Sequence, residues 1–377
     1  MLPTIIVRYG ELALKSEPVR RRFEESLLNS IRHKLGDLRY NIRTERGRIF
    51  VDTASRTTVI KRLSRVPGIT SLSPAVRTKA NLDDIRTEAV RIAKKMLKPG
   101  MSFAVRTNRV GKHTFSSRDV NAKLGSSILS IMKNLKVDLI SPDIEISIDI
   151  RGDDAYIFSN TVKGIGGLPV GTQGRVMAIL SGSRNDVVAA YLVLKRGCAV
   201  SSLFLNPQDT LNNPAARRVI LSAKKLAQFG SASVLWSFPF KRILTELRKK
   251  QVKKASIFIR ERCKLRAAEM VAKRAGAEAI VIGDDAKVVE KMKLTNLGAI
   301  DADCKLAVLR PLSCMEENEI KEISEKIGLK TSAGFSPACS IPVGKIVSEE
   351  LQTLEKLINI NKIIEDASKK IKKIKVG

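Results

Sequence analysis

Aromatic side chains are scarce in this chain of 377 residues, where Phe, Tyr and Trp together make up 4%. Proteins that read unpaired bases stack them on aromatic rings, so platforms of that kind must be few. Histidine occurs only as His33 and His113, which argues against a histidine-based metal site or catalytic triad. Any recognition of nucleic acid is therefore expected to use shape and phosphate contacts.

Cysteine is also sparse and irregularly spaced. No two cysteines form a C-x-x-C motif and their number is odd, so we predict no disulfide framework, no structural zinc and no other protein-bound metal site. A lone cysteine is more often a small buried residue than a catalyst. The five cysteines are Cys198, Cys263, Cys304, Cys314 and Cys339.

Long hydrophobic runs are missing from the sequence, although apolar residues make up 44% of it. No run approaches the about 20 apolar residues that a membrane span needs. No basic region precedes the apolar residues 2–7, as it would in a signal peptide. The sequence therefore predicts a soluble, cytoplasmic protein with no membrane partner, large enough for two or three domains.

Acidic residues are outnumbered, since 38 Asp and Glu face 68 Lys and Arg and give a net charge of +30. A polyanion is the natural partner for such a chain, and nucleic acid is the commonest one. A role of the charge in solubility, or in an unusual cytoplasmic pH, is the alternative. The basic residues are spread along the chain, and only residues 369–375 form a basic tail, which fits a solvated end.

Hydrophobic patterns divide the chain into three predicted domains, at residues 1–75, 76–165 and 166–377. The first is a small α+β unit that contains an amphipathic helix over residues 18–35. The second contains a helix that starts after Ser116 or Ser117, either of which is a candidate N-cap. Strand and helix patterns alternate through the third, which predicts a doubly wound α/β domain with a mostly parallel sheet.

A loop of small and polar residues, 181–186, joins an apolar strand pattern (176–180) to an apolar helix pattern (187–194). Small residues let the backbone approach an anion, and the free N–H groups of the first helical turn then point at it. Ligands of doubly wound sheets bind at the carboxyl ends of the strands, where this loop lies. We predict a phosphate-binding loop.

Segments in order along nearly the whole chain resemble the tRNA 4-thiouridine synthases, or tRNA sulfurtransferases. They include RYGELALKS (8–16), FAVRTNR (103–109), FSSRDVN (115–121), GGLPVGT (166–172) and RPL (310–312), and the loop at 181–186 resembles the SGGxDS loop of PP-loop ATP pyrophosphatases. The resemblance implies an N-terminal ferredoxin-like domain, a THUMP domain that binds RNA, and a doubly wound, adenine nucleotide α-hydrolase-like PP-loop domain.

The chemistry that the resemblance implies has two steps. The O4 atom of a tRNA uridine attacks the α-phosphate of ATP, which releases pyrophosphate, and a sulfur nucleophile then displaces AMP to form 4-thiouridine. Mg²⁺ is expected on the phosphates. The implied ATP-binding residues are Ile179, Leu180, Ser181, Gly182, Arg262 and Gly283. The family's basic residue ahead of Arg266 falls at Glu261 or Arg262, depending on register.

The loop departs from SGGxDS at three positions. Ser183 replaces the second glycine, Asn185 replaces the aspartate, and Asp186 replaces the final serine, so an aspartate is present one place late. Asp186 is a catalytic candidate on that basis. The family's GQVASQT segment reads KVVEKMK at residues 287–293 and lacks both glutamines. The alternative function is therefore a catalytically degenerate tRNA-binding homologue that acts as an RNA chaperone or partner subunit.

For sulfur transfer, the resemblance implies Cys339, which matches the family's cysteine near the end of the PP-loop domain. Cys339 is the candidate for persulfide or disulfide chemistry. An inert loop cysteine is the alternative. The C-x-x-C of archaeal-type members falls at Ile257 and Arg260, so no iron–sulfur cluster is expected. The residues after Cys339 are too few for the rhodanese domain that other members append.

The implied partners are tRNA and, for an active enzyme, a cysteine desulfurase or other sulfur donor; a homodimer is left open. Basic side chains that could contact RNA cluster in the THUMP-like segment. They are Arg106, Arg109, Lys112, Arg118 and Lys123. A solvated basic face is the alternative interpretation of this cluster.

Overall fold

The computed structural model describes residues 3–10, 16–45, 47–249, 256–329 and 348–376. The chain divides into two compact units, 1–167 and 168–377. The division lies within a glycine-rich stretch, residues 164–171. Within the described ranges, no helix combines the length and the apolar character needed to cross a membrane.

The described part of the first unit is a nine-stranded sheet with four helices. Its strands are β1 (Thr4–Tyr9), β2 (Asn41–Glu45), β3 (Arg48–Asp52), β4 (Ile69–Lys79), β5 (Ser102–Val110), β6 (Lys136–Val137), β7 (Ile144–Arg151), β8 (Asp154–Phe158) and β9 (Val162–Lys163). Its helices are α1 (Glu17–Leu35), α2 (Arg56–Leu63), α3 (Leu82–Met96) and α4 (Ser117–Ile131). The strand order is β2-β3-β1-β4-β8-β7-β5-β6, and β9 pairs with β4.

Strand β4 belongs to both halves of this sheet. Its residues from Ile69 to Ala75 pair with β1, and its residues from Val76 to Lys79 pair with β8. The predicted boundary at 75 and 76 therefore falls inside one continuous strand. Where the halves meet, the rings of Phe50 and Tyr156 stack with their centroids 4.3 Å apart, in a buried cluster with three further apolar side chains, Ile6, Ala75 and Phe158.

Two local predictions for this unit are confirmed. The amphipathic helix α1 buries Phe23, Leu27 and Ile31 on one face, at helical spacing. Ser116 is the N-cap of α4, and its hydroxyl accepts the N–H of Asp119 while the Asp119 carboxylate accepts the N–H of Ser116. This reciprocal arrangement is a capping box.

The second unit is the predicted doubly wound α/β domain. Its strands are β10 (Arg175–Ile179), β11 (Ala199–Asn206), β12 (Val234–Pro239), β13 (Ala279–Val281), β14 (Ala307–Leu309) and β15 (Lys372–Lys375). Its helices are α5 (Arg184–Lys195), α6 (Pro214–Ala227), α7 (Lys241–Lys249), α8 (Ser256–Ala275), α9 (Ala286–Met292), α10 (Leu294–Asp301), α11 (Glu317–Lys326), α12 (Ser348–Ile358) and α13 (Ile360–Ser368). The sheet order is β14-β13-β10-β11-β12-β15.

The order of the strands locates a crevice. From β10 the chain adds β11 and β12 on one side, and then returns to place β13 and β14 on the other side, all of them parallel. The order therefore reverses between β10 and β13. Loops that leave these two strands diverge, so a crevice opens between their carboxyl ends, which is where ligands of such sheets bind.

The basic C-terminal segment forms structure and is not simply a solvated tail. Strand β15 pairs antiparallel with β12, at the edge of the sheet. The ammonium group of Lys373 lies 4.4 Å from the centroid of the Trp236 ring, within the range of a cation–π interaction. Three of the four side chains of β15 are exposed lysines, a composition that discourages further pairing at a sheet edge.

Helix α8 crosses the core of the second unit and carries a buried cation. The guanidinium of Arg262 is 1% exposed and donates to Glu355 Oε1 over 2.8 Å and to the carbonyl of Ala299 over 2.8 Å, and it pairs with Asp303. Glu355 is itself buried, at 5% exposure. Arg266, whose side chain is 19% exposed, also pairs with Glu355 and Asp303. Removal of Arg262 would therefore leave these carboxylates one cation, but would leave the buried acceptors on Glu355 and Ala299 without their donor.

We therefore expect Arg262→Ala to lower the free energy of unfolding of the second unit by at least about 2 kcal/mol, because buried acceptors lose a charged donor. Arg242→Ala is the matched control, because Arg242 is 62% exposed in its pair with Asp366, and exposed pairs contribute about 0–1 kcal/mol. Urea unfolding followed by the fluorescence of Trp236, the only tryptophan, reports on this unit. Equal midpoints for the two variants would contradict the structural role of Arg262.

Candidate functional site

The predicted phosphate loop connects β10 to α5 at the crevice. Leu180, the residue after Ile179, is buried and donates its N–H to the carbonyl of Leu203. Gly182 has a φ of +91°, a conformation that side chains other than glycine rarely adopt. A Cβ on Gly182 would lie 3.0 Å from Cβ of Arg218, so the loop also needs glycine for space.

Ser183 begins α5 as its N-cap. Its hydroxyl accepts the N–H of Asp186 over 3.2 Å, and its own N–H points to the hydroxyl of Ser181 over 3.4 Å. Serine is among the best N-cap residues because its oxygen satisfies an otherwise free N–H of the first turn. The serine that replaces the second glycine of SGGxDS is thus a helix cap.

The carboxylate of Asp186 turns back over the loop. Its Oδ2 accepts the N–H of Ser181 over 2.7 Å and the Ser181 hydroxyl over 2.6 Å. Burial raises the pKa of Asp186, and the hydrogen bonds from Ser181 and the charge of Lys264 act in the opposite direction. A carboxylate therefore lies on N–H and O–H donors that the resemblance to SGGxDS assigns to phosphate.

The loop after β13 packs directly on the first turn of α5. A Cβ on Gly283 would lie 2.5 Å from Oδ1 of Asp186 and 2.8 Å from the carbonyl carbon of Asn185, distances that real Cβ atoms do not show. The Asn185 amide donates to Asp285 Oδ2 over 2.9 Å. An aspartate at position 185 would face this carboxylate and repel it, so asparagine at 185 is compatible with Asp285.

Charged side chains line the crevice beyond the loop. Lys264 of α8 donates to both carboxylate oxygens of Glu261, over 2.8 and 2.9 Å. Burial alone would raise the pKa of Glu261, but the charges of Lys264 and Arg260 outweigh it and the pKa is lowered. Glu261 therefore stays ionised next to its cation.

A second charged group follows the neighbouring strands. Arg310, directly after β14, makes a bidentate contact with Asp301 over 2.7 and 2.9 Å and donates to Asp284 over 3.1 Å. Burial raises the pKa of Asp284, as does the charge of Glu261. Arg310 thus holds two carboxylates at the carboxyl ends of β13 and β14.

The structure brings together most of the predicted ATP-binding residues. Five of the six lie in or beside the loop, namely Ile179, Leu180, Ser181, Gly182 and Gly283, and Asp186 lies with them. Arg262 is not among them, because its guanidinium is directed into the buried cluster with Glu355. Cys339 lies outside the described residues.

Two residues of the crevice were missed by the sequence reasoning: Lys264, and Asp285 after β13. Both could have been suspected from their places, since Asp285 follows a strand end and Lys264 lies one helical turn beyond Glu261.

Within the described ranges no group of three or more His, Cys, Asp or Glu side chains is arranged to hold a metal ion. Cys263 is buried, and burial raises the pKa of its thiol to about 12, so it is a poor nucleophile at neutral pH.

Three of the predicted RNA-binding residues lie at one end of the sheet in the first unit. Arg109 lies at the carboxyl end of β5, where its guanidinium contacts the carbonyl of Gly111 over 3.1 Å and the ring of His113 over 3.3 Å. Lys112 follows β5, Arg118 is in the first turn of α4, and both side chains are exposed.

The other two predicted residues are placed differently. The Arg106 guanidinium is held on the sheet surface by Glu145 over 2.7 Å and by the carbonyl of Leu139 over 2.7 Å. Lys123 is exposed on α4, one and a half turns beyond its start. Arg106 is therefore already paired, while Lys123 extends the basic surface away from the strand end.

Comparison with known proteins covers the chain from end to end. Residues 4–73 match the ThiI ferredoxin-like domain, 79–160 the THUMP domain, and 171–364 the family described as thiamine biosynthesis protein (ThiI). A probable tRNA sulfurtransferase of Methanothermobacter thermautotrophicus is 36% identical over 334 residues, 86% of this chain and 84% of the relative. The chain belongs to the tRNA sulfurtransferase family.

Further similar proteins agree with this membership of the tRNA sulfurtransferase family. A probable tRNA sulfurtransferase of Methanosarcina mazei is 32% identical and covers 99% of this chain and 95% of its own. The crystal structure of a 4-thiouridine synthetase–RNA complex with bound ATP has a TM-score of 0.88 at 26% identity, and covers 99% of each chain. PH1313 from Pyrococcus horikoshii Ot3 has a TM-score of 0.70 at 29% identity, and covers 87% of this chain and 100% of its own.

These similarities confirm the predicted fold of this tRNA sulfurtransferase family member, with its ferredoxin-like, THUMP and PP-loop domains. They also favour the sulfurtransferase function over the degenerate binding homologue.

The packing at Gly283 gives a direct test of the site. We expect Gly283→Ala to destabilise the second unit by about 1–3 kcal/mol, because the added methyl group must push the loop off the first turn of α5. Gly298→Ala in α10 is the matched control, since nothing lies within 4 Å of its Cβ and alanine favours a helix. Urea unfolding compares the two, and equal destabilisation would contradict the close packing.

Proposed function

We propose that this chain forms 4-thiouridine in tRNA by ATP-dependent activation of a uridine followed by sulfur transfer. The observation that carries the proposal is the loop at the crevice, where Gly182 at φ +91° and the start of α5 face the carboxyl ends of β10 and β13. Full-length similarity to a 4-thiouridine synthetase with bound ATP supports it.

The backbone geometry of the loop suits the phosphates of a nucleoside triphosphate. A side chain at Gly182 would collide with Arg218 of α6 and displace the loop, and the N-terminus of α5 favours negative charge. Ile179 ends the central strand and the buried Leu180 follows it, so the loop starts from an apolar strand end. In this proposal Ser181, Gly182 and the first turn of α5 hold the pyrophosphate, while Ile179, Leu180 and Gly283 border the nucleotide.

Mg²⁺ would be held chiefly by the phosphates. Mg²⁺ in such sites commonly takes one or two carboxylates from the protein and keeps several waters. Asp186 and Asp285 are the carboxylates that the structure places against the loop. When bound, the ion would neutralise charge on the phosphates as pyrophosphate leaves.

The sulfur step is assigned to Cys339. Its persulfide, loaded by a cysteine desulfurase or other sulfur donor, would attack C4 of the adenylated uridine through its outer sulfur, and AMP would leave. A second thiol would then attack the Cys339 sulfur and break the S–S bond, which releases 4-thiouridine and leaves Cys339 in a disulfide with that thiol. Of the remaining cysteines, Cys263 is buried with a raised pKa, while Cys314 is exposed. Cys314 is therefore the suitable control for a variant of Cys339.

We expect Cys339→Ser to abolish 4-thiouridine formation while ATP–pyrophosphate exchange in the presence of tRNA continues, because activation needs no sulfur. Cys314→Ser should support both reactions. Nucleoside analysis by mass spectrometry measures the first reaction, and isotope exchange measures the second. Full thiolation by Cys339→Ser would remove Cys339 from the mechanism.

The RNA-binding part of the proposal rests on the basic end of the first unit. Lys112 and Arg118 are exposed at the carboxyl end of β5, and we propose that they contact tRNA phosphates together with Arg109. Arg106 and Lys123 would extend this surface. Recognition through phosphates agrees with the low aromatic content.

We expect the double variant Lys112→Glu, Arg118→Glu to weaken tRNA binding and to reduce the slope of log affinity against log salt by about 2, roughly one for each phosphate that is no longer neutralised. The control is Lys94→Glu, Lys95→Glu, which makes the same charge change in the last turn of α3, at the opposite end of β5. Filter binding over a range of salt measures both. An equal weakening in the control would show that only net charge matters.

A further inference from the structure

Asp186 has the spacing of a capping residue but makes different contacts. In α4, the carboxylate of Asp119 accepts the N–H of the N-cap Ser116 over 2.8 Å, which closes a capping box. In α5, Ser183 and Asp186 have the same spacing, and the Ser183 hydroxyl again accepts the N–H three residues on. The carboxylate of Asp186, however, reaches past Ser183 to the N–H and hydroxyl of Ser181.

The diverted carboxylate lies on the anion-binding part of the loop. Ser181 is the first residue of the loop, and both of its hydrogen-bond donors end on Asp186. Gly283 packs against the other oxygen of Asp186, Oδ1, and so restricts movement of the carboxylate toward β13. The loop therefore carries an internal anion where a phosphate would make its first contact.

Several cations lie near this carboxylate, and most of them are paired with other carboxylates. Arg184, in the first turn of α5, and Lys287, in α9, both pair with Glu317, while Arg218 of α6 is exposed beside Gly182.

Lys264 is the cation whose field reaches Asp186, and its ammonium group is bonded to both oxygens of Glu261. The carboxylate of Asp285, on the next loop, is bonded to the side chain of Asn185, beside Asp186. A phosphate that bonds to Ser181 thus competes with the Asp186 carboxylate for the same donors, and like charges repel when they come close.

We infer that Asp186 is a positioning residue that makes anion binding by the Ser181 loop conditional on a divalent cation, which must bridge the carboxylate and the phosphate or draw the carboxylate off Ser181. This inference rests on the proposed function, because the anion is taken to be the pyrophosphate part of ATP. A loop with serine at this position carries no such charge and needs no bridging ion for its first contact.

Two variants separate the charge of Asp186 from its shape. Asp186→Asn keeps an oxygen that can accept the Ser181 N–H and removes the charge, and Asp186→Ser gives the loop the final serine of SGGxDS. The measured quantity is the ratio of the ATP affinity in Mg²⁺ to the ATP affinity in EDTA. We expect this ratio to be at least about tenfold larger for the wild-type chain than for either variant, which corresponds to about 1.4 kcal/mol of coupling between cation and ATP binding. Asp119→Asn, which opens the capping box of α4, should behave as the wild type.

Isothermal titration calorimetry of the full chain with ATP, and with inorganic pyrophosphate as a probe without a base, measures the affinities in Mg²⁺ and in EDTA. Greater cation dependence in the wild type than in both variants, for both probes, supports the inference. Equal cation dependence in all proteins that bind ATP overturns it and leaves the proposed function standing. Failure of the wild type and both variants to bind ATP in Mg²⁺ overturns the proposed function and the inference together.

Discussion

The contact between Gly283 and the first turn of α5 determines the geometry of the whole candidate site. It joins the loops that leave β10 and β13, the two strands between which the chain reverses its order. Without a side chain at 283, these loops approach closely enough for Asn185 to bond Asp285 and for Asp186 to pack against Gly283. The crevice, the helix start and the carboxylates around it all depend on that absence of a Cβ.

The general architecture could be predicted from the sequence because periodicity and small-residue loops are local signals. Alternating strand and helix patterns predicted the doubly wound sheet, and the apolar spacing in α1 predicted its buried face. The Ser116 cap followed from residue type and position. Each of these features is set by neighbours within one or two turns of the chain.

Side-chain direction was harder to predict. Neighbouring positions on a helix point about 100° apart, so the side chain at 261 faces the crevice while the side chain at 262 faces the core. The register of the sequence match left open which of the two corresponds to the family's basic residue. Arg262 lies in the core because Glu355 and Asp303, which are distant in sequence, meet it there. The sequence also showed that Asp186 is displaced by one place from the motif, but not that its carboxylate would pass Ser183 to reach Ser181. The basic segment at β15 showed no alternation, and it is a strand because the edge of β12 was open to it.

Strand β4 runs without interruption through both halves of the first unit, with β1 paired along its first part and β8 along its second. The two halves therefore share a backbone and not merely a linker. A chain divided at residue 75 would cut β4 between the part that pairs with β1 and the part that pairs with β8, and it would separate Ser71 and Leu72 from their partners in β9. The ferredoxin-like and THUMP parts also build one buried cluster, in which Phe50 stacks on Tyr156, so separation of the two parts would expose both rings to water.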